Sequence, residues 1–405
     1  MSVFDVLKER GYIEQCTHED EIRQILEREK VTFYIGFDPT ADSLHVGHFI
    51  QIMVMVHMQK AGHIPIALLG GGTTMVGDPS GRTDMRQMLT KETISQNALK
   101  FKRIFERFLD FSEGKAIIAD NAEWLLDLNY IDFLREIGPF FSVNRMISAD
   151  AYKNRMETGL TFLEFNYMIM QAYDYYELYK RHGCKMQLGG NDQWSNIIAG
   201  VQLVRRKAGA DVFGMTFALL VNSEGNKMGK TAKGALWLDP EKTSPYEFFQ
   251  YWRNVGDSDV EKCLALLTFL PMDEVRRLGS FHGEEVNAAK ETLAYEVTSL
   301  IHGREAADSA LSASRSIFGE GGDAAEMPAA SVPYGILGSD AASFVALAGL
   351  AATRSEARRL IEQGGIRINS EKISNPQRPV TERDFPEGAL ILQKGKKIYR
   401  KVTLQ

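Results

Sequence analysis

Over residues 1–243 the chain alternates short apolar runs with longer stretches of helical period. That alternation restricts it to a parallel sheet covered by helices on both faces. The strand-like runs are Val31–Phe37, Ile64–Leu69, Ala116–Ala119, Lys185–Leu188 and Phe217–Val221. Between the first two, His45 to Lys60 is apolar nearly all round, which predicts a buried helix. From Ser244 to Phe318 the strand signal disappears, and Glu261–Phe269 and Glu284–Ile301 have helical period. Residues 319–339 are small and breaker-rich, the composition of a linker. Beyond them, Ser355–Gln363 reads as a helix capped by Ser355 and stopped by Gly364-Gly365. Ile366–Asn369 and Ala389–Gln393 read as strands. The expected fold is therefore α/β: a Rossmann-like parallel-sheet domain over 1–243, an α-helical domain over 244–318, and a small α+β domain over 340–405.

Charge is unevenly placed. Residues 340–405 hold 12 Lys and Arg against 7 Asp and Glu, a net of +5, while the chain as a whole carries −6. An acidic body with a basic terminal module suits a partner that presents phosphates to the C-terminal part. Cys16, Cys184 and Cys263 are far apart and form no C-x-x-C, so neither a disulfide framework nor a zinc knuckle is expected. The N-terminus lacks a basic start followed by an apolar run, and no apolar stretch is long enough to span a bilayer. A cytoplasmic protein with no membrane association is expected.

Three groups of residues carry chemistry. Tyr34, Gly36 and Asp38 recur at period two, so they share one side of the first strand and its exit. Asp38-Pro39-Thr40 then leads to a helix whose first turn holds His45-Val46-Gly47-His48, with Asp42 or Ser43 as the expected cap. A helix N-terminus at the carboxyl end of a parallel strand favours an anion, and two histidines add donors there. Gly47 leaves room for a flat base or ribose. The second group, Lys227-Met228-Gly229-Lys230-Thr231, is a cationic loop suited to a polyphosphate whose charge shifts during reaction. The third is Tyr167, Gln171 and Asp174, one face of a helix expected over 162–181, followed by Gly189-Gly190-Asn191-Asp192-Gln193-Trp194 at a strand end. The glycine pair with Asp192 and Gln193 suits a ribose and the polar edge of a ligand. A phenol would satisfy both Asp174, which accepts, and Tyr34, which donates, whereas a plain benzyl ring would leave both unpaired.

His45–His48 and Lys227–Thr231 resemble the two signature motifs of class I aminoacyl-tRNA synthetases. The segments Tyr34–Thr40, Gly77–Gly81, Gln171–Asp174 and Gly189–Trp194 narrow the resemblance to the bacterial tyrosyl branch. It implies a tyrosine–tRNA ligase that forms tyrosyl-adenylate and pyrophosphate from L-tyrosine and ATP, then charges tyrosine tRNA. Carried over residue by residue, it assigns the substrate hydroxyl to Tyr34 and Asp174. The ammonium falls to Asp78, Tyr167 and Gln171, with Gln193 also at the tyrosine. Gly190 and Asp192 match ribose contacts, and Gly36, Asp38, Gly47 and His48 nucleotide contacts. Thr40 and His45 match the pair that stabilises the polyphosphate, Lys227, Lys230 and Thr231 the mobile pyrophosphate loop, and Arg82 and Arg86 two further cationic positions. Mg2+ is expected with ATP rather than in a tightly held protein site. The resemblance also implies a homodimer through an insertion at about 90–165, with its run of phenylalanines, a tRNA-facing role for 244–318, and RNA binding by 340–405.

The match has departures. Val46 stands where isoleucine is common, Gly229 where serine is common, and Arg82 replaces a lysine; Ile35 and Gln51 replace smaller polar residues beside the ribose. A tryptophanyl synthetase, a coenzyme-forming nucleotidyltransferase and a non-catalytic RNA-binding protein share parts of the pattern. Tyr34 with Asp174 opposes the first, the C-terminal module the second, and the retained histidines and lysines the third.

Overall fold

The computed structural model describes residues 2–80, 88–231, 234–318, 329–369, 371–395 and 398–405. The chain divides into two compact units, one of Met1–Thr243 with Asn254–Leu293, the other of Ser244–Arg253 with Ala294–Gln405. The helical segment expected over 244–318 is thus shared between the units, and the division falls within the helix Val286–His302.

The first unit is built on six strands: Ile13–Cys16 (β1), Thr32–Phe37 (β2), Ile64–Leu69 (β3), Ile117–Asp120 (β4), Met186–Gly190 (β5) and Phe213–Phe217 (β6), in the order β1-β6-β5-β2-β3-β4. All neighbouring pairs are parallel except β1 with β6. The central strands are buried on both faces, which is why they read as continuous apolar runs. β1 is an edge strand of mixed polarity, Ile13-Glu14-Gln15-Cys16, and gives no such run. β6 lies four residues earlier than the apolar run Phe217–Val221 suggests. Leu219 and Leu220 from that run line a cleft instead of extending the sheet. The helix expected over 162–181 is two helices, Phe162–Phe165 and Tyr167–His182. A capping box between Thr161 and Glu164 starts the first, and Gly183 in the left-handed conformation stops the second.

In the second unit, strands Ala329–Val332 (β7), Ile366–Ile368 (β8), Glu371–Lys372 (β9), Ala389–Lys394 (β10) and Ile398–Leu404 (β11) form a sheet in the order β9-β8-β10-β11-β7. The helix Arg354–Glu362 is capped by the Thr353 hydroxyl, which accepts from the Glu356 N–H at 3.1 Å; Ser355 lies inside the first turn. Gly364 at φ +69° ends it. Ala357 and Ile361 turn into a core with Phe344, Leu390 and Val402, which leaves Arg354 and Arg358 exposed. No helix among the described residues is long and apolar enough to cross a membrane.

Candidate functional site

Sheet order places the site. Beyond β2 lie β3 and β4, and beyond β5 lie β6 and β1, so the strand order reverses between the parallel strands β2 and β5. Ligands of open α/β sheets bind outside the carboxyl ends of the strands at such a point. A cleft of about 990 Å3 opens there, large enough for a nucleotide and a second small molecule.

Its floor is polar and buried. Tyr34 reaches in from β2, 1% exposed, its ring edge-on to Tyr175 at 5.4 Å. Its hydroxyl has no hydrogen-bond partner. Asp174, 2% exposed, comes from the helix Tyr167–His182. Its carboxylate accepts from Asn121 Nδ2 at 2.9 Å and Trp124 Nε1 at 2.8 Å. Burial outweighs these two donors and pushes its pKa up to about 8. Burial also holds the Tyr34 hydroxyl protonated, and the Asp174 charge reinforces that. Asn121 is itself fixed: its Oδ1 accepts from the Gly72 N–H at 2.7 Å, and its Nδ2 also reaches Thr73 Oγ1 at 3.0 Å.

One wall gathers acceptors. Gln193 Nε2 donates to Asp78 Oδ2 at 2.7 Å, and Gln193 Oε1 accepts from Asn196 Nδ2 at 3.1 Å. The Ser80 N–H closes on the other Asp78 oxygen at 2.9 Å. Tyr167 gives its hydroxyl proton to Asp38 Oδ2 at 2.9 Å, so its oxygen can still accept. Gln171 lines the cleft beside them. At the end of β5, a Cβ on Gly190 would come within 2.7 Å of Asp192 Oδ1, so glycine is what lets that carboxylate turn over the strand end.

The mouth is built on backbone hydrogen bonds. His45, rather than Asp42 or Ser43, caps the helix Val46–Lys60: its Nδ1 accepts from the Gly47 N–H at 3.0 Å. His48 Nδ1 accepts from the His45 N–H at 3.2 Å, and the rings lie 4.0 Å apart. With both Nδ1 atoms accepting, the neutral rings carry their protons on Nε2. A Cβ on Gly47 would meet the His45 ring at 2.8 Å, so Gly47 makes room first for this cap. Asp42 is occupied by Lys100 and Lys242. Burial, then the charge of Lys227, pushes the His45 pKa down and keeps it a neutral donor. The lysine motif runs alongside. Strands Lys230–Thr231 and Gly234–Ala235 form a hairpin, the Leu236 N–H donates to Gly229 O at 2.7 Å, and the Val46 N–H donates to Leu236 O at 3.0 Å. Gly229 has φ +82°, and a Cβ there would collide with Val46.

Gly36, Thr40, Lys227 and Lys230 complete the lining, so the residues named from sequence that are described converge on one cleft. Arg82 and Arg86, and the side chain of Thr231, lie outside what is described. Asn121, Trp124, Ser80 and Asn196 escaped the sequence reading. Asn121 stands at the carboxyl end of β4, the one signal that could have flagged it. Among the described residues no group of three or more His, Cys, Asp or Glu side chains could hold a metal ion.

Residues 26–319 match the family of class I tRNA synthetases (W and Y), and residues 342–385 match the S4 domain. The chain is 62% identical over 405 residues to the tyrosine–tRNA ligase of Caldanaerobacter subterraneus subsp. tengcongensis, covering 100% of both chains. It is 61% identical to that of Clostridium beijerinckii, again over 100% of both. The crystal structure of a C-terminally truncated mitochondrial tyrosyl-tRNA synthetase from Aspergillus nidulans superposes with a TM-score of 0.70 at 31% identity, covering 78% of this chain and 94% of that one.

Proposed function

The chain belongs to the class I tRNA synthetases of the tryptophan and tyrosine type, and from that premise we propose how its site divides the work. The activity is tyrosine–tRNA ligation. The tyrosine carboxylate attacks the α-phosphorus of ATP, the bond to the bridging oxygen of pyrophosphate breaks, and the aminoacyl group passes from the adenylate to the 3′ end of tyrosine tRNA. No protein nucleophile is needed, so catalysis is positioning plus stabilisation of developing charge.

The observation that carries the tyrosine assignment is the unpartnered Tyr34 hydroxyl beside buried Asp174. The substrate phenol donates to Asp174 and accepts from Tyr34. Tryptophan would leave Tyr34 without an acceptor. Asp78, Tyr167 and Gln171 take the three ammonium protons, with Gln193 holding Asp78 in place. Gly190 and Asp192 face the ribose, and Gly36, Asp38, Gly47 and His48 the rest of the nucleotide. Thr40 and His45 stabilise the polyphosphate as the α-phosphorus becomes five-coordinate; Lys227, Lys230 and Thr231 draw off pyrophosphate, with Arg82 and Arg86 as further cations. Mg2+ arrives with ATP, carried on phosphate oxygens. Tyrosine-dependent ATP–pyrophosphate exchange tests the assignment: no exchange with tyrosine, or equal exchange with tryptophan, overturns it.

The chain acts as a cytoplasmic homodimer. Support comes from an apolar surface within the 90–165 insertion: Phe162 is 69% exposed, Tyr130 and Ile131 58% each, Val143 57% and Met156 51%. Of the phenylalanines of that insertion Phe162 belongs to this surface, whereas Phe101 and Phe105 are core residues. The S4 domain binds tRNA through its exposed basic face, and residues 244–318 also face tRNA. Deleting 340–405 therefore leaves pyrophosphate exchange intact and lowers tRNA charging; equal charging at physiological salt refutes this.

A further inference from the structure

The helix Val260–Leu267 contributes no side chain to the cleft, yet both its ends are tied to elements that do. At its carboxyl end, Arg10 donates to the carbonyls of Ala265 at 2.8 Å and Thr268 at 2.9 Å, and the Tyr12 hydroxyl to that of Leu266 at 2.5 Å. Phe269, just beyond, packs edge-on against His57 at 5.0 Å, with Lys60 Nζ 3.5 Å from its ring centre. His57 and Lys60 are the last turn of the helix that begins with the histidine motif.

The amino end holds the approach to the lysine motif. Asp259 is 5% exposed and occupies the cap position. An aspartate there normally bonds to the N–H groups of its own helix. This one makes no such bond. Its Oδ1 accepts instead from the Ser223 N–H at 2.7 Å. Lys262 Nζ donates to Val221 O at 3.0 Å, and Cys263 Sγ lies 3.9 Å from Met228 Sδ. Ser223 belongs to a tight hairpin. The Gly225 N–H donates to Asn222 O at 2.9 Å, the Asn222 N–H to Asn226 O at 2.9 Å, and the Met228 N–H to Leu220 O at 2.8 Å. A hairpin bonded this way moves as one body, so a shift at Ser223 is a shift at Lys227.

We infer that Asp259 is a positioning residue for the lysine motif: its bond to the Ser223 N–H sets where the hairpin delivers Lys227 and Lys230. The helix is then a brace between the two signature motifs, joined to one through Phe269 and His57 and to the other through Asp259. The inference rests on the assignment of those lysines to the polyphosphate. A displacement near 1 Å at such a group costs about 10²-fold in rate.

The test is pyrophosphate exchange with the full-length chain. Asp259→Ala is expected to lower kcat about 10- to 100-fold and to raise the KM for ATP, with the KM for tyrosine unchanged. Asp259→Asn keeps an acceptor oxygen and is expected to recover most of the rate. In Lys230→Ala, adding Asp259→Ala is expected to cost less than it does in the unmodified chain, because part of its effect runs through that lysine and the rest through Lys227. Ser223→Pro approaches the bond from its other end and covers the case in which Asp259→Ala does not fold. Ser223 is the second residue of a four-residue turn that proline suits, so the turn keeps its course while the N–H is lost, together with the hydroxyl that accepts from Ser258 at 3.1 Å; Ser223→Ala, which loses the hydroxyl alone, should keep a wild-type kcat. Ser223→Pro should reproduce the Asp259→Ala kinetics. A wild-type kcat in Asp259→Ala or Ser223→Pro overturns the inference, as do additive losses with Lys230→Ala, equal damage from Asp259→Asn, or a parallel rise in the KM for tyrosine. If the unmodified chain shows no tyrosine-dependent exchange, the polyphosphate assignment itself fails.

Discussion

The floor and the mouth of the cleft are held by different means. Below, buried side chains hold one another: Asn121 and Trp124 fix Asp174, and Asn196 and Gln193 fix Asp78. Above, backbone N–H groups and carbonyls tie the lysine hairpin to the start of the histidine helix, and the charged groups project from that frame. A buried side-chain network is rigid and selects one shape, because each unpaired group would cost energy. On the proposed assignment, recognition belongs to the floor and charge stabilisation to the mouth.

Substitutions should separate the two regions. The largest effect is expected at the mouth, where His45→Ala should lower kcat for pyrophosphate exchange about 10²–10³-fold and leave the Kd for tyrosine, measured by calorimetry, unchanged. A matching loss of tyrosine affinity would merge the regions. Next, Asp174→Asn removes a charge-assisted hydrogen bond worth about 1.5–3 kcal/mol, so tyrosine affinity should fall about 10- to 100-fold. Tyr34→Phe should cost only about three- to tenfold in affinity, the loss of one neutral hydrogen bond. A loss as large as that of Asp174→Asn would show the hydroxyl doing more than this. The smallest effect is on pH. Asp174 has a pKa pushed up to about 8, and on the proposed assignment the substrate phenol is a third donor favouring its ionised form. Binding therefore expels a proton below that pH, and tyrosine affinity should fall about fivefold from pH 8 to pH 7. Asp174→Asn should abolish that slope; titration calorimetry across the range reads both.

The two regions also differed in how far the sequence disclosed them. The mouth was legible because its residues are contiguous: His45 to His48 and Lys227 to Thr231 each declare a motif. In the floor, Tyr34, Asp78, Tyr167, Gln171, Asp174 and Gln193 are legible, but not the side chains that hold Asp174. Asn121 and Trp124 reach Asp174 from 53 and 50 residues away, a separation that helical period and strand alternation do not encode. The cap was misplaced for a related reason. Hydroxyl and carboxylate side chains are the usual caps, and an imidazole lone pair serves here because Gly47 leaves space for the ring. The sheet was read well where burial on both faces produces an apolar run and poorly at its edge, where Glu14 and Gln15 of β1 interrupt one.

The placement of Tyr34 in the lining of the cleft reaches beyond catalysis. A folded chain that binds an amino acid its unfolded form does not is stabilised by it, and occupancy at a hundred times Kd adds about 2.7 kcal/mol. By that linkage the chain without its amino acid melts at a lower temperature than the chain that holds it, by an amount set by the concentration of free ligand.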